Sequence, residues 1–401
     1  MFKHNIDELT LNSLSRWALV PDAQPGFKDH VTLRQKKERE KEYDLLLQKA
    51  PLSSGGYKSM GPDERARARA RVRTLVGMTL SHTKDGLGGR FFEDCERVAE
   101  TFVGKAKEFD PTLPENDIHQ ALRNVWVFNS IQHYLGHPVE FTQPSFAYSL
   151  LYPYTDNWLD STGPTGEEKQ DYVRWLTKRV EGEETAAGVV RSMPVSNLIR
   201  MIEVRFPRHV FPEVYQSLLA ILSAQKESLR LHNTPPEAYE ATLLPLTVKK
   251  GGTSVLADGF LVSGNLTHSH AEVLFEYGVL LQLIDDLQDV DEDVCSGHWT
   301  PFARALRLGV LDAITNRLFN FTRAVLATMG RHSTEEGAEL CQIIERSCVG
   351  LVMEAVARHQ SYYSVTFLEM LESFSPVRLS YLGSLRVRLE ERYWKGRTHP
   401  A

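Results

Sequence analysis

Gly278-Val-Leu-Leu-Gln282-Leu-Ile-Asp285-Asp286-Leu-Gln-Asp289 is the stretch on which the fold turns. An apolar run, broken only by Gln282, leads into three aspartates, and Asp291, Glu292 and Asp293 follow. No Pro interrupts the run and the next Gly is Gly297, so the spacing predicts one buried helix over 271–294 with Gly297 as its stop. In such a helix Asp285 and Asp289 share a face one turn apart, with Asp286 beside them. The acids crowd the C-terminal turns, where the helix dipole opposes negative charge by a few tenths to about 1 kcal/mol each. Two carboxylates about 4 Å apart in a partly buried site repel by roughly 4 kcal/mol. The cluster therefore asks for a cation. A solvated acidic helix end is the alternative reading, and it suits residues 291–293 better than 285–289.

The pattern Gly-x-x-x-Gln-x-x-Asp-Asp-x-x-Asp resembles the second aspartate-rich motif of the all-α isoprenyl diphosphate synthases. In that class I isoprenoid synthase superfamily two aspartate-rich helices face each other across a cavity and hold Mg²⁺ ions that grip a diphosphate. The resemblance implies an all-α helical bundle around a central cavity, with Asp285, Asp286, Asp289 and Gln282 in the site.

It also implies a first acidic motif upstream, and Tyr152-Pro-Tyr-Thr-Asp156-Asn157-Trp-Leu-Asp160 is the candidate. Asp156 and Asp160 are four apart, hence on one helical face, and Ser161-Thr-Gly-Pro164 ends the element. Asn157 stands where the family has a second aspartate; its carbonyl oxygen can still join a Mg²⁺ or water shell, with one charge fewer. Between the motifs, Lys249-Lys250-Gly251-Gly252-Thr253-Ser254 reads as two cations, a turn and two hydroxyls opening a helix, a phosphate-binding corner. It is similar to the Lys-Thr-Gly stretch of prenyl diphosphate synthases.

The chain departs from the family as well. Residues 161–169 lack the arginine pair with which chain-elongating synthases hold isopentenyl diphosphate. The doubled Asp-x-x-Glu-Asp signature of squalene synthase and the Asn-Asp-x-x-Ser-x-x-x-Glu motif of terpene cyclases are missing too. This favours a terpene synthase acting on one linear prenyl diphosphate. A prenyltransferase joining two units, head-to-tail or head-to-head, is the alternative, and a non-catalytic isoprenoid-binding subunit a third. Asp156, Asp160, Asp285, Asp286 and Asp289 would hold Mg²⁺, with Lys249, Lys250 and Thr253 on the phosphates. Arg200 and Arg208 could reach a diphosphate or pair with Glu203 and Glu213. Arg386, Arg388, Arg392 and Lys395 could close over it or form a solvated terminal helix. Phe146, Tyr148, Tyr152 and Phe275 lie deeper along the acidic helices, as core or as faces that stabilise a cation by about 0.5–2 kcal/mol each.

Composition bounds these readings. With 401 residues, 42% hydrophobic and 24% charged, the chain can bury a large core. It divides most simply into an N-terminal helical extension, 1–110, and an isoprenoid synthase-like α-domain, 111–401. A net charge of −6 argues against nucleic acid as the main partner. Cys95, Cys295, Cys341 and Cys348 have no metal spacing and read as reduced core residues of an intracellular protein. No signal peptide or membrane-spanning run is evident, so the expectation is a soluble cytoplasmic protein; the resemblance allows a homodimer. Helical spacing predicts elements at 91–108, 115–135, 143–160, 165–180, 211–231, 268–294 and three more over 301–392. A further helix from Asp63 would carry five alternating arginines, Arg65 to Arg73, around its surface. Hydrolase chemistry has no support, since no serine or cysteine stands in a nucleophile pattern with a histidine.

Overall fold

The computed structural model describes residues 5–27, 30–49, 88–160, 163–183, 192–228, 240–385 and 388. Among them every regular element is helical. In chain order they are α1 (Ile6–Leu19), α2 (Leu33–Lys49), α3 (Gly88–Phe109), α4 (Glu115–Tyr134), α5 (Gln143–Asp160), α6 (Gly166–Glu181), α7 (Ser192–Arg205) and α8 (Pro212–Ser228). Then come α9 (Glu240–Ser263), α10 (His268–Gln288), α11 (Val290–Ser296), α12 (Pro301–Leu308), α13 (Asp312–Arg331), α14 (Glu335–Arg358) and α15 (Val365–Phe374). A 3₁₀ turn (Gln360–Tyr362) precedes α15, and 379–385 is helical again. The helix expected from Asp63, with its arginines, lies outside the described residues.

Helix α10 is the axis of the bundle. It is apolar on nearly all sides, from Ala271 to Leu287, and a helix of that pattern is stable only when surrounded. Helices α9, α13, α14 and α1 surround it. The tightest of these contacts is with α9, and glycines make it. A Cβ on Gly251 would lie 2.5 Å from the Gln282 Cβ, and one on Gly252 2.4 Å from the Phe275 ring.

This corrects the expectation for residues 249–254. They are no turn before a helix but the interior of α9, which runs through Lys249, Lys250, Gly251 and Gly252 without a break. Glycine costs roughly 1 kcal/mol against alanine inside a helix. Here close packing against α10 outweighs that local preference. A second correction concerns 271–294. The helix divides at Asp289, which ends α10 with φ −101° and ψ 13°, and α11 then runs to Gly297, left-handed at φ 72° as expected of a stop.

Other boundaries follow local chemistry. Thr165 and Glu168 form a reciprocal capping box at the start of α6, and Gly182 closes its end at φ 91°. Helix α5 spans the predicted 143–160.

The N-terminal portion, where described, packs onto the bundle. Trp17 of α1 is 4% exposed and meets Phe321 edge-on at 5.3 Å. Burial of a large side chain of this kind contributes roughly 1.5–3 kcal/mol. Helix α2 grips the C-terminal segment instead. Glu40 takes a forked bond from Arg378 (2.5 and 2.9 Å), Lys36 pairs with Glu372 (2.7 Å), and Tyr43, Leu47, Val377 and Tyr381 form a small apolar cluster between them. Cys95, Cys341 and Cys348 are buried free thiols, each pushed up to about 12 by burial; Cys295 is exposed, against the expectation of a core position. Among the described residues no helix is long and apolar enough to cross a membrane.

Candidate functional site

The α9–α10 crossing decides which side chains meet. Adjacent helix positions differ by about 100°, so Lys249 and Lys250 diverge. Lys249 turns to α8 and pairs with Glu227 at 3.0 Å. Lys250 turns to the end of α10, where its charge acts on both Asp285 and Asp286. Thr253 does not present its hydroxyl to a ligand: the group is buried and donates back to the Lys249 and Lys250 carbonyls at 2.7 and 3.2 Å.

Asp286 is 5% exposed. Its Oδ1 accepts a hydrogen bond from Gln282 Nε2 at 2.8 Å, while its Oδ2 has no partner. Burial raises its carboxyl well above the ordinary carboxylate range; the Gln282 bond opposes this, and the charges of Asp293 and Asp285 add to it. Asp285 keeps 49% of its side-chain surface open, 3.7 Å from Arg123 Nη1. Protein mass around it still raises its carboxyl, as does Asp289, against the pull of Arg123 and Lys250. Asp289 is exposed at the kink.

The first acidic motif reaches the same neighbourhood through α4. Asn157 Nδ2 donates to Gln120 at 3.2 Å, and Gln120 lies one turn before Arg123, the partner of Asp285. Asp156 and Asp160 occupy the last turn of α5; their side chains lie outside the described residues.

The remaining candidates are placed elsewhere. Phe146 is 4% exposed and packs on Phe102, Phe109 and Phe141, and Phe275 is fully buried against α9, so both are core. Tyr152 is 41% exposed. Tyr148 is half-buried, edge-on to Phe128 at 6.2 Å. Arg200 is exposed on α7. Arg208 is no free sensor: it bonds Glu203 at 2.6 Å and the carbonyls of Val180 and Arg179, and lies 3.9 Å over the Tyr215 ring. Arg179 bonds the same Glu203, so the three residues staple α6 to α7 and α8. Burial alone would raise the Glu203 carboxyl; the two arginines hold it below the usual range. Arg388 pairs with Asp44 of α2 at 2.9 Å; Arg386, Arg392 and Lys395 lie outside the described residues.

Several groups in the site escaped the sequence reading. Arg123 had no signal beyond being a cation on a polar face. Asp291 and Asp293, read with the acid cluster or alternatively as a solvated helix end, have partners the sequence did not name: Asp291 is bound by His359 Nδ1 at 2.8 Å and by the Tyr362 hydroxyl, and Asp293 faces His298 at 3.2 Å. Asp258 stood in plain view as a lone acid in an apolar run. It is fully buried, bonded to Asn124 at 3.2 Å, with Oδ2 unpartnered, and burial raises its carboxyl well above the ordinary range despite that bond. A recess of about 390 Å³, lined by Arg16, Glu276, Thr328 and His332, lies further back along α10 and belongs to the seat of α1.

Asp285, Asp286 and Asp289 are an all-oxygen donor set, which hard divalent cations take, and the unpartnered Asp286 oxygen is an atom such an ion would satisfy. Among the described residues no group of three or more His, Cys, Asp or Glu side chains converges closely enough to hold a metal ion alone. The aspartates thus fit Mg²⁺ as one wall of a site, which needs a facing donor or a ligand's oxygens to complete it. No family model, curated protein or solved structure matches this chain.

Proposed function

We propose that the chain is a Mg²⁺-dependent enzyme of the class I isoprenoid synthase type that ionises one linear prenyl diphosphate and cyclises or rearranges the allylic cation. One observation carries this reading. At the end of α10 an acidic cluster, Asp285, Asp286 and Asp289, adjoins two cations from other helices, Arg123 and Lys250, at the edge of an apolar bundle. Acids and bases so mixed suit a ligand that is anionic yet carries divalent cations. Mg²⁺ would supply Lewis-acid charge to the leaving diphosphate. Arg123 and Lys250 would contact phosphate oxygens directly; at 3.7 Å from Asp285, Arg123 is loosely held and can turn to them. Lys249 and Thr253, placed in the site by the sequence motif, are engaged elsewhere and drop out of it. Tyr148 over Phe128 is the aromatic candidate for facing the cation.

The bond between Gln282 and Asp286, which occupies one oxygen of a proposed metal ligand, favours a second reading: a subunit that binds an isoprenoid without turnover. Incubation with Mg²⁺ and farnesyl, geranylgeranyl or longer diphosphates, with and without isopentenyl diphosphate, separates the possibilities. Hydrocarbon or alcohol from a single substrate supports the proposal. Product that requires isopentenyl diphosphate identifies a prenyltransferase. Binding without product leaves the second reading, and neither binding nor product refutes both.

A further inference from the structure

The kink at Asp289 is gripped on both sides by one short stretch, residues 358–362. On the near side, Arg358 Nη2 donates to the Gln288 carbonyl at 3.0 Å, taking one of the carbonyls that the end of α10 leaves without a helical partner. On the far side, both oxygens of Asp291 are taken, one by His359 Nδ1 at 2.8 Å and the other by the Tyr362 hydroxyl. The His359 ring is 8% exposed and stacks on Tyr362 at 5.6 Å, 7° from parallel. The gripping stretch is itself anchored. Leu311 N–H donates to the Tyr362 carbonyl at 2.9 Å, and Gly383 packs so close to the Ala357 carbonyl that a Cβ there would lie 2.5 Å from it.

This grip answers a physical problem. Asp285, Asp286 and Asp289 crowd a helix C-terminus whose dipole opposes them, and Asp289 adds its charge to Asp285. An unrestrained end with that charge would fray, carrying Asp289 away from Asp285. We propose that Arg358, His359 and Tyr362 are positioning residues that hold Asp289 beside Asp285, so that the metal-binding wall is assembled before the cation arrives. The inference rests on the metal-site reading above and adds to it a role for the end of α14.

The test is Mn²⁺ uptake by the full chain with inorganic pyrophosphate, read from the loss of the free-Mn²⁺ resonance. Outer residues that orient metal ligands change affinity by about tenfold or more, and that loss is expected for His359→Asn and for Asp291→Asn. The double variant should bind no more weakly than Asp291→Asn alone, because that substitution already disrupts the contact that His359→Asn removes. Tyr362→Phe, which deletes only a hydroxyl, should weaken uptake in the same direction and covers the case in which His359→Asn fails to fold. Trp17→Phe, far from the kink, should lower the melting temperature and leave Mn²⁺ affinity unchanged. Folded variants that bind as wild type overturn the positioning role alone. A wild-type chain that takes up no Mn²⁺ with pyrophosphate overturns the metal reading and the positioning role with it.

Discussion

Gly278 faces the backbone of Gly251 so closely that a Cβ on Gly278 would sit 2.2 Å from the Gly251 carbonyl oxygen. This contact brings α9 against α10, and the Lys250 charge then acts on Asp285 and Asp286. Gly278→Ala should therefore destabilise by about 1–3 kcal/mol, since the obstruction is backbone and cannot rotate away. Gly104→Ala in α3, where nothing lies within 4 Å, should instead stabilise by about 0.5–1 kcal/mol. Urea denaturation of the two variants measures both signs.

The two lysines should separate cleanly. Lys250→Ala should cut turnover, or pyrophosphate affinity, by about tenfold or more, the worth of a charge-assisted contact to phosphate. Lys249→Ala should cost at most about 1 kcal/mol of stability and leave catalysis near wild type, because its partner is Glu227 on a part-exposed surface. Steady-state kinetics on both variants decides; equal losses would mean that the helical phase of 249–250 is misassigned.

Asp258 makes stability depend on pH in a defined direction. Its carboxyl is raised in the folded chain, and in the unfolded chain it titrates near the usual value of about 3.9. Above that value the unfolded chain loses a proton that the folded chain keeps, so rising pH favours unfolding until the folded carboxyl also ionises. Stability contributed by this residue is therefore complete below about pH 4 and falls above it. Asp258→Asn, which can keep the bond to Asn124, should remove that component of the slope. Denaturation midpoints of both proteins across the pH range test the sign.

Arg208→Ala should lower stability by about 2 kcal/mol, since it leaves Glu203 short of one partner and frees two carbonyls. Activity per folded molecule should not change. Arg200→Ala should change neither quantity, as that residue is exposed. Thermal melts alongside turnover measurements distinguish a staple from a diphosphate sensor.

Periodicity was enough to read the all-α character of the described residues, the span of α5 and the stop at Gly297, because apolar spacing and glycine conformations are local properties. The acid cluster was legible for the same reason: three carboxylates emerging from an apolar helix conflict with their own surroundings. The status of 249–254 was not, since a Lys-Lys-Gly-Gly stretch looks like a turn until a second helix supplies the packing that repays its glycines. Nor were the partners of each charge. Arg123 with Asp285, His359 with Asp291 and Lys249 with Glu227 join residues far apart in the chain, and only the crossing angles and phases of the helices that carry them bring them within bonding distance. Sequence by itself determined which groups needed a partner; tertiary packing, which acts through space and not along the chain, decided which partner each one has.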